Sequence, residues 1–290
     1  MIGWLRKKYY KLWKNDFQKQ KLDKLHDSLK HSIPIILVHQ PGRAGSMSMV
    51  NTLRTMETGM DVYHTHWLNP ELLSRRTKRL ENAKEIDIPY NVRVSMAITQ
   101  TLSREKMAVY PWRIVSIIRE PVARNISAFF LSLHRFVSDA NDEYANGQLD
   151  CNDLLDTFLR EFPHHEPLQW FDNEIRDVFG IDVYDYKFPL DKRYFILTNN
   201  SLKLLVLRVE DLNEVYGDVL TEMFGKTPHA LVNTHISSKD EEYSNIYKDF
   251  LRLAKLPKDY LDSMYESRYA QHFYTQDEIA TFYRNWGKSA

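Results

Sequence analysis

The sequence of 290 residues lacks the features that mark several large classes of protein. Its single cysteine, Cys151, permits no disulfide within the chain, which favours a reducing compartment. The formal net charge is zero, which argues against a general nucleic-acid-binding protein. No apolar run approaches the roughly 18 to 20 residues of a membrane span, and the N-terminus lacks a signal-peptide core. We therefore expect a cytoplasmic protein without a nucleic-acid partner.

The remaining composition, 43% hydrophobic and 13% aromatic, is that of an ordinary folded protein. Because no repeat or low-complexity linker interrupts it, we predict one domain over residues 32–290. Residues 1–31 carry nine Lys/Arg against three Asp and predict a basic amphipathic helix. Two interpretations stay open: an interfacial helix on the inner face of a membrane, or a solvated or packing helix. In the first, the lipid-facing side chains would be Trp4, Leu5, Tyr9, Leu12 and Trp13. The sequence does not predict the oligomeric state.

Short apolar runs alternate with helical patterns along the chain. Strands are predicted at residues 35–39, 60–66, 112–118, 194–198 and 202–212, and helices at 46–58, from 70, from 121, through most of 152–179, and from 240. This alternation predicts an α/β fold with a central, mainly parallel sheet flanked by helices. Ligands of such sheets bind at the carboxyl ends of the strands. Two motifs begin at such ends.

The first motif is "PGRAGSMS", residues 41–48, between a predicted strand and a predicted helix. Gly42 and Gly45 permit positive φ and close approach of an anion to the backbone. Arg43 adds a permanent charge, and Ser46 and Ser48 add hydroxyl donors. The Gly-Lys-Ser/Thr sequence of a nucleoside-triphosphate-binding loop is missing. The pattern predicts an anion site, the alternative being an ordinary strand–turn–helix connection.

The second motif is "REPVARNISAFF", residues 119–130. Arg119 ends a predicted buried strand, and Ser127 follows eight residues later within a helix. Arg124 and Ser127 are three residues apart and share a helix face. A phosphate group would explain an arginine in this place. The alternative is a surface Arg–Glu pair and a serine that bonds its own backbone.

Together the two motifs resemble those of sulfotransferases that use 3′-phosphoadenosine 5′-phosphosulfate (PAPS). "PGRAGSMS" resembles their 5′-phosphosulfate-binding loop, and "REPVARNISAFF", with its Arg-x7-Ser spacing, their 3′-phosphate-binding motif. "LRVEDL", residues 207–212, is similar to a strand-to-helix element of the same superfamily. More narrowly, from residue 34 to 282 the chain resembles bacterial capsular polysaccharide synthesis proteins, a sulfotransferase-like group, whose tail is similar to "SSKDEEYSNIYKDF".

The resemblance implies a P-loop-like sulfotransferase fold and PAPS as donor, with PAP as product and no required metal. It also implies a carbohydrate acceptor: a capsular or exopolysaccharide, or a glycolipid precursor. Most sulfotransferases have lysine where this chain has Arg43, which leaves the catalytic role of Arg43 open while its electrostatic role remains. The nucleotide-binding residues implied are Pro41, Gly42, Arg43, Ala44, Gly45, Ser46, Met47, Ser48, Arg119, Arg124 and Ser127.

Such an enzyme needs a base to accept the proton of the acceptor hydroxyl. "VYHTHWLNP" places His64 and His66 at the end of the second predicted strand, on one face. Histidine titrates near neutral pH, so this pair is the first candidate, with His66 ahead of His64. A structural role and metal ligation remain open for the pair. His39, Glu57 and Glu71 are further candidates for the base.

Two other functions remain open from the sequence. A P-loop-type kinase would require Mg²⁺ and bind ATP in preference to PAP. A non-catalytic, nucleotide-binding component of a polysaccharide assembly complex would bind PAP without transferring anything.

Overall fold

The computed structural model describes residues 2–82, 88–232 and 244–287, with the backbone alone for residues 2–15 and 244. Within these ranges, five strands form one sheet: β1 (Ile36–His39), β2 (Val62–Thr65), β3 (Arg113–Ile118), β4 (Tyr194–Asn199) and β5 (Leu202–Arg208). The strand order is β2-β1-β3-β5-β4. Only β4 is antiparallel to its neighbour. The predicted α/β class with a mainly parallel sheet is confirmed.

Helices cover both faces of the sheet because alternate side chains of each strand point to opposite faces. Leu37, Ile114 and Leu204 face the larger core, and Ile36, Val115 and Leu205 face the smaller one. The helices are α1 (Ile2–Lys30), α2 (Ser46–Thr55), α3 (Pro70–Asn82), α4 (Tyr90–Thr101), α5 (Arg104–Val109), α6 (Pro121–Leu131), α7 (Ala140–Ala145), α8 (Cys151–Glu161), α9 (Asp177–Phe179), α10 (Leu212–Phe224), α11 (Ser244–Leu253), α12 (Lys258–Tyr265), α13 (Arg268–Phe273) and α14 (Gln276–Trp286).

The C-terminal half of α1 packs against the sheet. Leu25 and Leu29 are buried in the larger core. The ammonium of Lys24 lies 2.7 Å from the carboxylate of Asp61, just before β2. The side chains proposed to face lipid, at positions 4, 5, 9, 12 and 13, lie outside the described side chains. In the part of the chain that the structure covers, no helix combines the length and apolar character of a membrane span.

Two predicted elements end earlier than expected. The helix predicted over 46–58 ends at Thr55, and the strand predicted over 202–212 ends at Arg208, where one 3-10 turn leads into α10. The region 152–179, predicted to be mostly helical, is so: α8 is followed by turns, and the chain is helical again from residue 170, with a turn of π-helix at Asp172–Arg176 before α9. Helix α4 was not predicted, although it packs on β2 and α1.

Candidate functional site

The carboxyl ends of β1, β2, β3 and β5 meet at one edge of the sheet. From β1 the chain crosses to β2 on one side, and from β2 it returns past β1 to β3 on the other side. The connections therefore diverge between β1 and β3, which is where open α/β sheets bind ligands. The two motifs predicted from the sequence flank this point: residues 41–48 follow β1, and Arg119 follows β3.

Two residues of the β1–α2 loop adopt left-handed backbone conformations. Gly45 has φ +78°, and a Cβ there would lie 2.8 Å from Cγ2 of Val209, so both conformation and space require glycine. The second is Arg43, with φ +71°. Of the two glycines that permit positive φ, Gly45 adopts it and Gly42 does not. A non-glycine residue held in this region is typical of ligand-binding loops.

Helix α2 begins at Ser46 without a side-chain cap. Its N-cap residue is Gly45, which offers no acceptor to the first backbone N–H groups. The N-terminus of α2 thus has no side-chain cap of its own, and the positive end of its dipole favours an anion there. Ser46, Met47 and Ser48 all line the adjacent cavity.

Hydrogen bonds join the two motifs directly. The guanidinium of Arg119 donates to the carbonyl oxygen of Arg43 at 3.1 Å. Nε of Arg124 donates to the carbonyl of Gly42 at 3.0 Å, and Nε of Arg43 donates to the hydroxyl of Ser127 at 2.9 Å. The structure thus brings together, in one contact network, the arginines that the sequence predicted as an anion site.

Most of the predicted nucleotide-binding residues line one large cavity, but two do not. Pro41, Gly42, Arg43, Arg119 and Arg124 are among its walls, with the residues of the loop and α2 named above. The other two, Ala44 and Ser127, are buried with exposed fractions of 0% and 2%. Ala44 packs in the smaller core, and Ser127 lies behind the Arg43 side chain. Ser127 therefore does not line the cavity itself, but it hydrogen-bonds Arg43, which does.

The cavity has a volume of about 1950 Å³. Sites for a single small molecule usually measure about 300 to 1000 Å³, so this one has room for two ligands side by side. Arginines outnumber carboxylates on its walls, seven to four: Arg43, Arg75, Arg76, Arg79, Arg119, Arg124 and Arg135 against Glu120, Glu161, Glu166 and Glu210. The excess of positive charge favours anionic ligands.

His66 follows β2 and lines the cavity. Its Nδ1 lies 2.7 Å from the carbonyl oxygen of Gln40. Because a carbonyl only accepts, Nδ1 must carry the hydrogen, which leaves Nε2 of the neutral ring as an acceptor. Burial lowers the pKa of His66 to about 4, and Arg124 and Arg76 add to this effect. The ring is therefore neutral at physiological pH, as a proton acceptor must be.

His64 also lines the cavity, with its ring centroid 4.5 Å from that of His66. Burial lowers the pKa of His64 well below its usual value, and the neighbouring His66 lowers it further. In the described residues, no group of three or more His, Cys, Asp or Glu side chains has an arrangement that would bind a metal ion. The pair thus lies together at the cavity wall, as its spacing on β2 predicted.

The other candidate bases lie away from the cavity walls. His39 is fully buried beneath the loop, with Nε2 3.3 Å from a carboxylate oxygen of Glu174, too poorly aligned for a hydrogen bond. Glu57 and Glu71 are exposed and are not among the lining residues. Their positions favour His66 and His64 over these three as groups that could meet a ligand.

Three glutamates near the cavity were missed in the sequence, and two of them, Glu120 and Glu174, are buried. Glu174 accepts hydrogen bonds from the backbone N–H groups of Leu68 and Asn69, and so anchors the segment after His66. No sequence pattern indicated this role, because Glu174 lies in a π-helical turn that the sequence does not reveal. Glu120 and Glu210 stand beside Arg119, with the N–H of Glu120 donating to Glu210 at 2.7 Å. Glu210 is exposed to the cavity, but the protein atoms around its carboxylate desolvate it and raise its pKa to about 7.

Arg208 of the "LRVEDL" element is buried away from the cavity. Its guanidinium pairs with the carboxylates of Asp211 and Glu278 and donates to the carbonyl of Phe273. These contacts join the end of β5 to α14, at the C-terminal end of the chain. The element therefore fixes the position of Val209 and Glu210, which do line the cavity.

Comparison with known proteins gives one match, over somewhat less than half of the chain. No curated protein and no solved structure matches it. The matched segment includes α8, Glu174, β5 and the C-terminal helices up to α13, but neither the β1–α2 loop nor Arg119. Residues 145–275 match the model of the family described as "Putative capsular polysaccharide synthesis protein".

Proposed function

We propose that this protein is a sulfotransferase with a P-loop-like fold that transfers a sulfuryl group from PAPS to a hydroxyl of a carbohydrate. The observation that carries the proposal is the contact between the two motifs: Arg119 bonds the Arg43 carbonyl, and Arg43 bonds Ser127. One nucleotide with anionic groups at both ends of its ribose would therefore meet both motifs in one cavity. The match to a capsular polysaccharide family supports the carbohydrate as acceptor.

The donor's two anionic ends would be held differently. The open N-terminus of α2 and the Arg43 guanidinium would hold the 5′-phosphosulfate. Arg119 and Arg124 would hold the 3′-phosphate by side-chain donors alone, and Ser127 would keep Arg43 in place. The cavity's size leaves room for the acceptor beside the donor.

His66 would act as the base. Its Nε2 would accept the proton of the acceptor hydroxyl while the hydroxyl oxygen forms a bond to sulfur. The bond between sulfur and the bridging oxygen of the 5′-phosphate breaks, and PAP leaves with that electron pair. Arg43 and the N–H groups of α2 would stabilise the charge that develops on the leaving phosphate. The negative donor would also raise the pKa of His66 from its low value, which makes the ring a stronger base.

Calorimetric titration tests the donor site. We expect PAP to bind at sub-millimolar concentration, and more tightly than AMP, which lacks the 3′-phosphate. Arg119→Ala should remove this preference, with a loss of about tenfold or more for PAP and little for AMP. As a matched control, Arg104→Ala removes an arginine of α5 outside the cavity and should leave both affinities unchanged. Equal losses for PAP and AMP in Arg119→Ala would contradict the assignment.

Transfer is tested with labelled PAPS and surface-glycan extracts. We expect labelled glycan from the wild type and a large fall in turnover for His66→Ala with PAP affinity kept. A protein that binds PAP but labels no extract would favour the non-catalytic alternative. A protein that binds Mg²⁺-ATP in preference to PAP would favour the kinase.

A further inference from the structure

The cavity has a second cationic side, separate from the one assigned to the donor. The donor side lies at the ends of β1 and β3. On the other side of β1 stands β2, which leads through His66 and Trp67 into α3. Neighbouring strands lie about 4.8 Å apart, so β2 is about 10 Å from β3 across the edge. This second side is where an acceptor would lie, with His66 between it and the donor.

One face of α3 forms the wall on this second side. Leu72, Arg75, Arg76 and Arg79 all line the cavity. Their spacing of three, four and seven residues places them on one helix face. Three of these four residues are arginines, so the cavity-lining face of the helix is strongly positive.

Packing of a neighbouring face of α3, about 100° around the helix axis, fixes this orientation. Leu73 and Leu80 are buried against Val92 of α4, with Met96 beside them. A rotation of α3 that moved the arginines out of the cavity would expose these leucines to water. Trp67 packs in the same cluster and continues the wall towards His66, with ring centroids 5.3 Å apart. The guanidinium of Arg76 lies 5.3 Å from the Trp67 ring centroid.

Of the described carboxylates that line the cavity, none belongs to α3. Glu120 and Glu210 lie at the ends of β3 and β5, and Glu166 is 3.5 Å from Arg124. Arg75 pairs with Glu71 at 3.5 Å, but the two side chains are 69% and 82% exposed. An exposed pair of this kind contributes little and yields readily to a competing anion.

We propose that the acceptor is an anionic carbohydrate whose carboxylate or phosphate groups bind Arg75, Arg76 and Arg79. That the sugar is an acceptor rests on the proposed function. The anionic-sugar site itself rests only on the side chains along α3. The bound sugar would extend from α3 along Trp67, and so present a hydroxyl near Nε2 of His66. Guanidinium groups suit this task because they pair with carboxylate and phosphate through two parallel hydrogen bonds.

The test is calorimetric titration, with and without PAP, of three tetrasaccharides: an oligo-hexuronate, a neutral one, and the neutral one with a single phosphate. We expect at least one anionic sugar to bind about tenfold or more tightly than the neutral one. The affinity difference should shrink with added salt. Whether the hexuronate or the phosphorylated sugar binds more tightly identifies the anionic group.

The variant is Arg75→Gln/Arg79→Gln, which alters two exposed side chains and keeps Arg76 on Trp67. It should remove most of the preference for the anionic sugars, the remainder being due to Arg76, with PAP affinity unchanged. The matched control is Arg104→Gln/Lys106→Gln, which removes two positive charges from exposed positions of α5 and should change nothing. Thermal unfolding of both variants checks the fold.

The outcomes separate this inference from the proposed function. Equal affinity for neutral and anionic sugars, or an unchanged preference in Arg75→Gln/Arg79→Gln, overturns the anionic-sugar site even if PAP binds. Arginine-dependent binding of an anionic sugar by a protein that does not bind PAP supports the site and refutes PAPS as the donor.

Discussion

Helices α2 and α6 both begin at the functional edge of the sheet, and they differ in whether a side chain caps the N-terminus. At α6 the carboxylate of Glu120 accepts hydrogen bonds from the N–H groups of Val122 and Ala123, both at 2.7 Å, and from the hydroxyl of Tyr265. At α2 the equivalent position is Gly45, which has no side chain to offer. One helix satisfies its first N–H groups internally, while the other presents them to the cavity.

This difference between the two helix N-termini determines which protein groups can bind each part of an anionic ligand. A phosphate near α6 cannot use that helix's N-terminus, because a buried carboxylate already occupies it. It must be held by side chains, which explains why Arg119 and Arg124 are both at the cavity there. An anion at α2 is met by backbone N–H groups that need no rearrangement and cost little entropy to order. We therefore expect the reacting end of the donor at α2.

The largest effect is expected from removing the Glu120 carboxylate that caps α6. Glu120→Ala would leave two backbone N–H groups and the Tyr265 hydroxyl without their buried acceptor. Each unpaired buried group costs about 1 to 3 kcal/mol, so we expect the free energy of unfolding to fall by about 3 kcal/mol or more. Urea denaturation followed by circular dichroism measures it.

Glu120→Gln is the matched control for this substitution, since its amide oxygen keeps one acceptor and removes the charge. It should cost less than Glu120→Ala. A loss below about 1 kcal/mol for Glu120→Ala would mean that the cap contributes no more than an ordinary exposed one, and the contrast between the helices would lose its energetic basis.

The sequence predicted the open helix better than the capped one. Strand, Pro-Gly turn, Arg43 and the start of α2 at Ser46 were all evident because turn residues and apolar runs are local signals. The capped helix was predicted to begin at Pro121, as it does, but the role of Glu120 was not. Glutamate is an unusual N-cap, and its acceptor role depends on burial beneath Tyr265, which is 145 residues away.

In the candidate site as a whole, too, local sequence signals predict some features and tertiary packing decides the others. His64 in β2 and His66 directly after it share a cavity wall because residues two apart in extended chain lie on one face, which spacing alone predicts. Ser127 was expected at the ligand but lies behind Arg43, since its depth depends on how α6 packs against the loop. Glu174 and Glu210 come from segments distant in the sequence, so only the tertiary fold places them at this edge.

A second comparison within the open loop separates the charge of Arg43 from its backbone strain. Both Arg43→Ala and Arg43→Gly remove the guanidinium and should weaken PAP binding by about 10- to 100-fold, whereas Arg43→Lys should keep more of it. The two differ in stability: at φ +71° glycine is unstrained, so Arg43→Gly should be about 1 kcal/mol more stable than Arg43→Ala.

Calorimetry with PAP and urea denaturation measure these two effects separately. Equal stability of Arg43→Gly and Arg43→Ala would show that the loop does not hold this residue in the left-handed region. Unchanged PAP affinity in both variants would remove Arg43 from the donor site and leave α2 alone to bind the anion.

The smallest effect concerns pH, and it should occur only on the capped side. Glu210 lines the cavity beside Arg119, and its pKa is raised to about 7 because desolvation by the surrounding protein outweighs the lowering effects of the hydrogen bond from the Glu120 N–H and of the Arg119 charge. An arriving phosphate disfavours the charged carboxylate and raises the pKa again, so binding takes up a proton. PAP affinity should therefore fall several-fold between about pH 7 and pH 8.5, by at most about tenfold per pH unit for one proton.

AMP lacks the group that faces Glu210, so its affinity should change little over the same range, where its 5′-phosphate is already ionised. Glu210→Gln provides the matched variant, because it keeps an acceptor for the Glu120 N–H and cannot titrate. It should bind PAP with no pH dependence, at the affinity that the wild type shows below pH 7. If AMP and PAP weaken in parallel with pH, or if Glu210→Gln retains the dependence, the proton is taken up elsewhere and the 3′-phosphate does not lie at the α6 side.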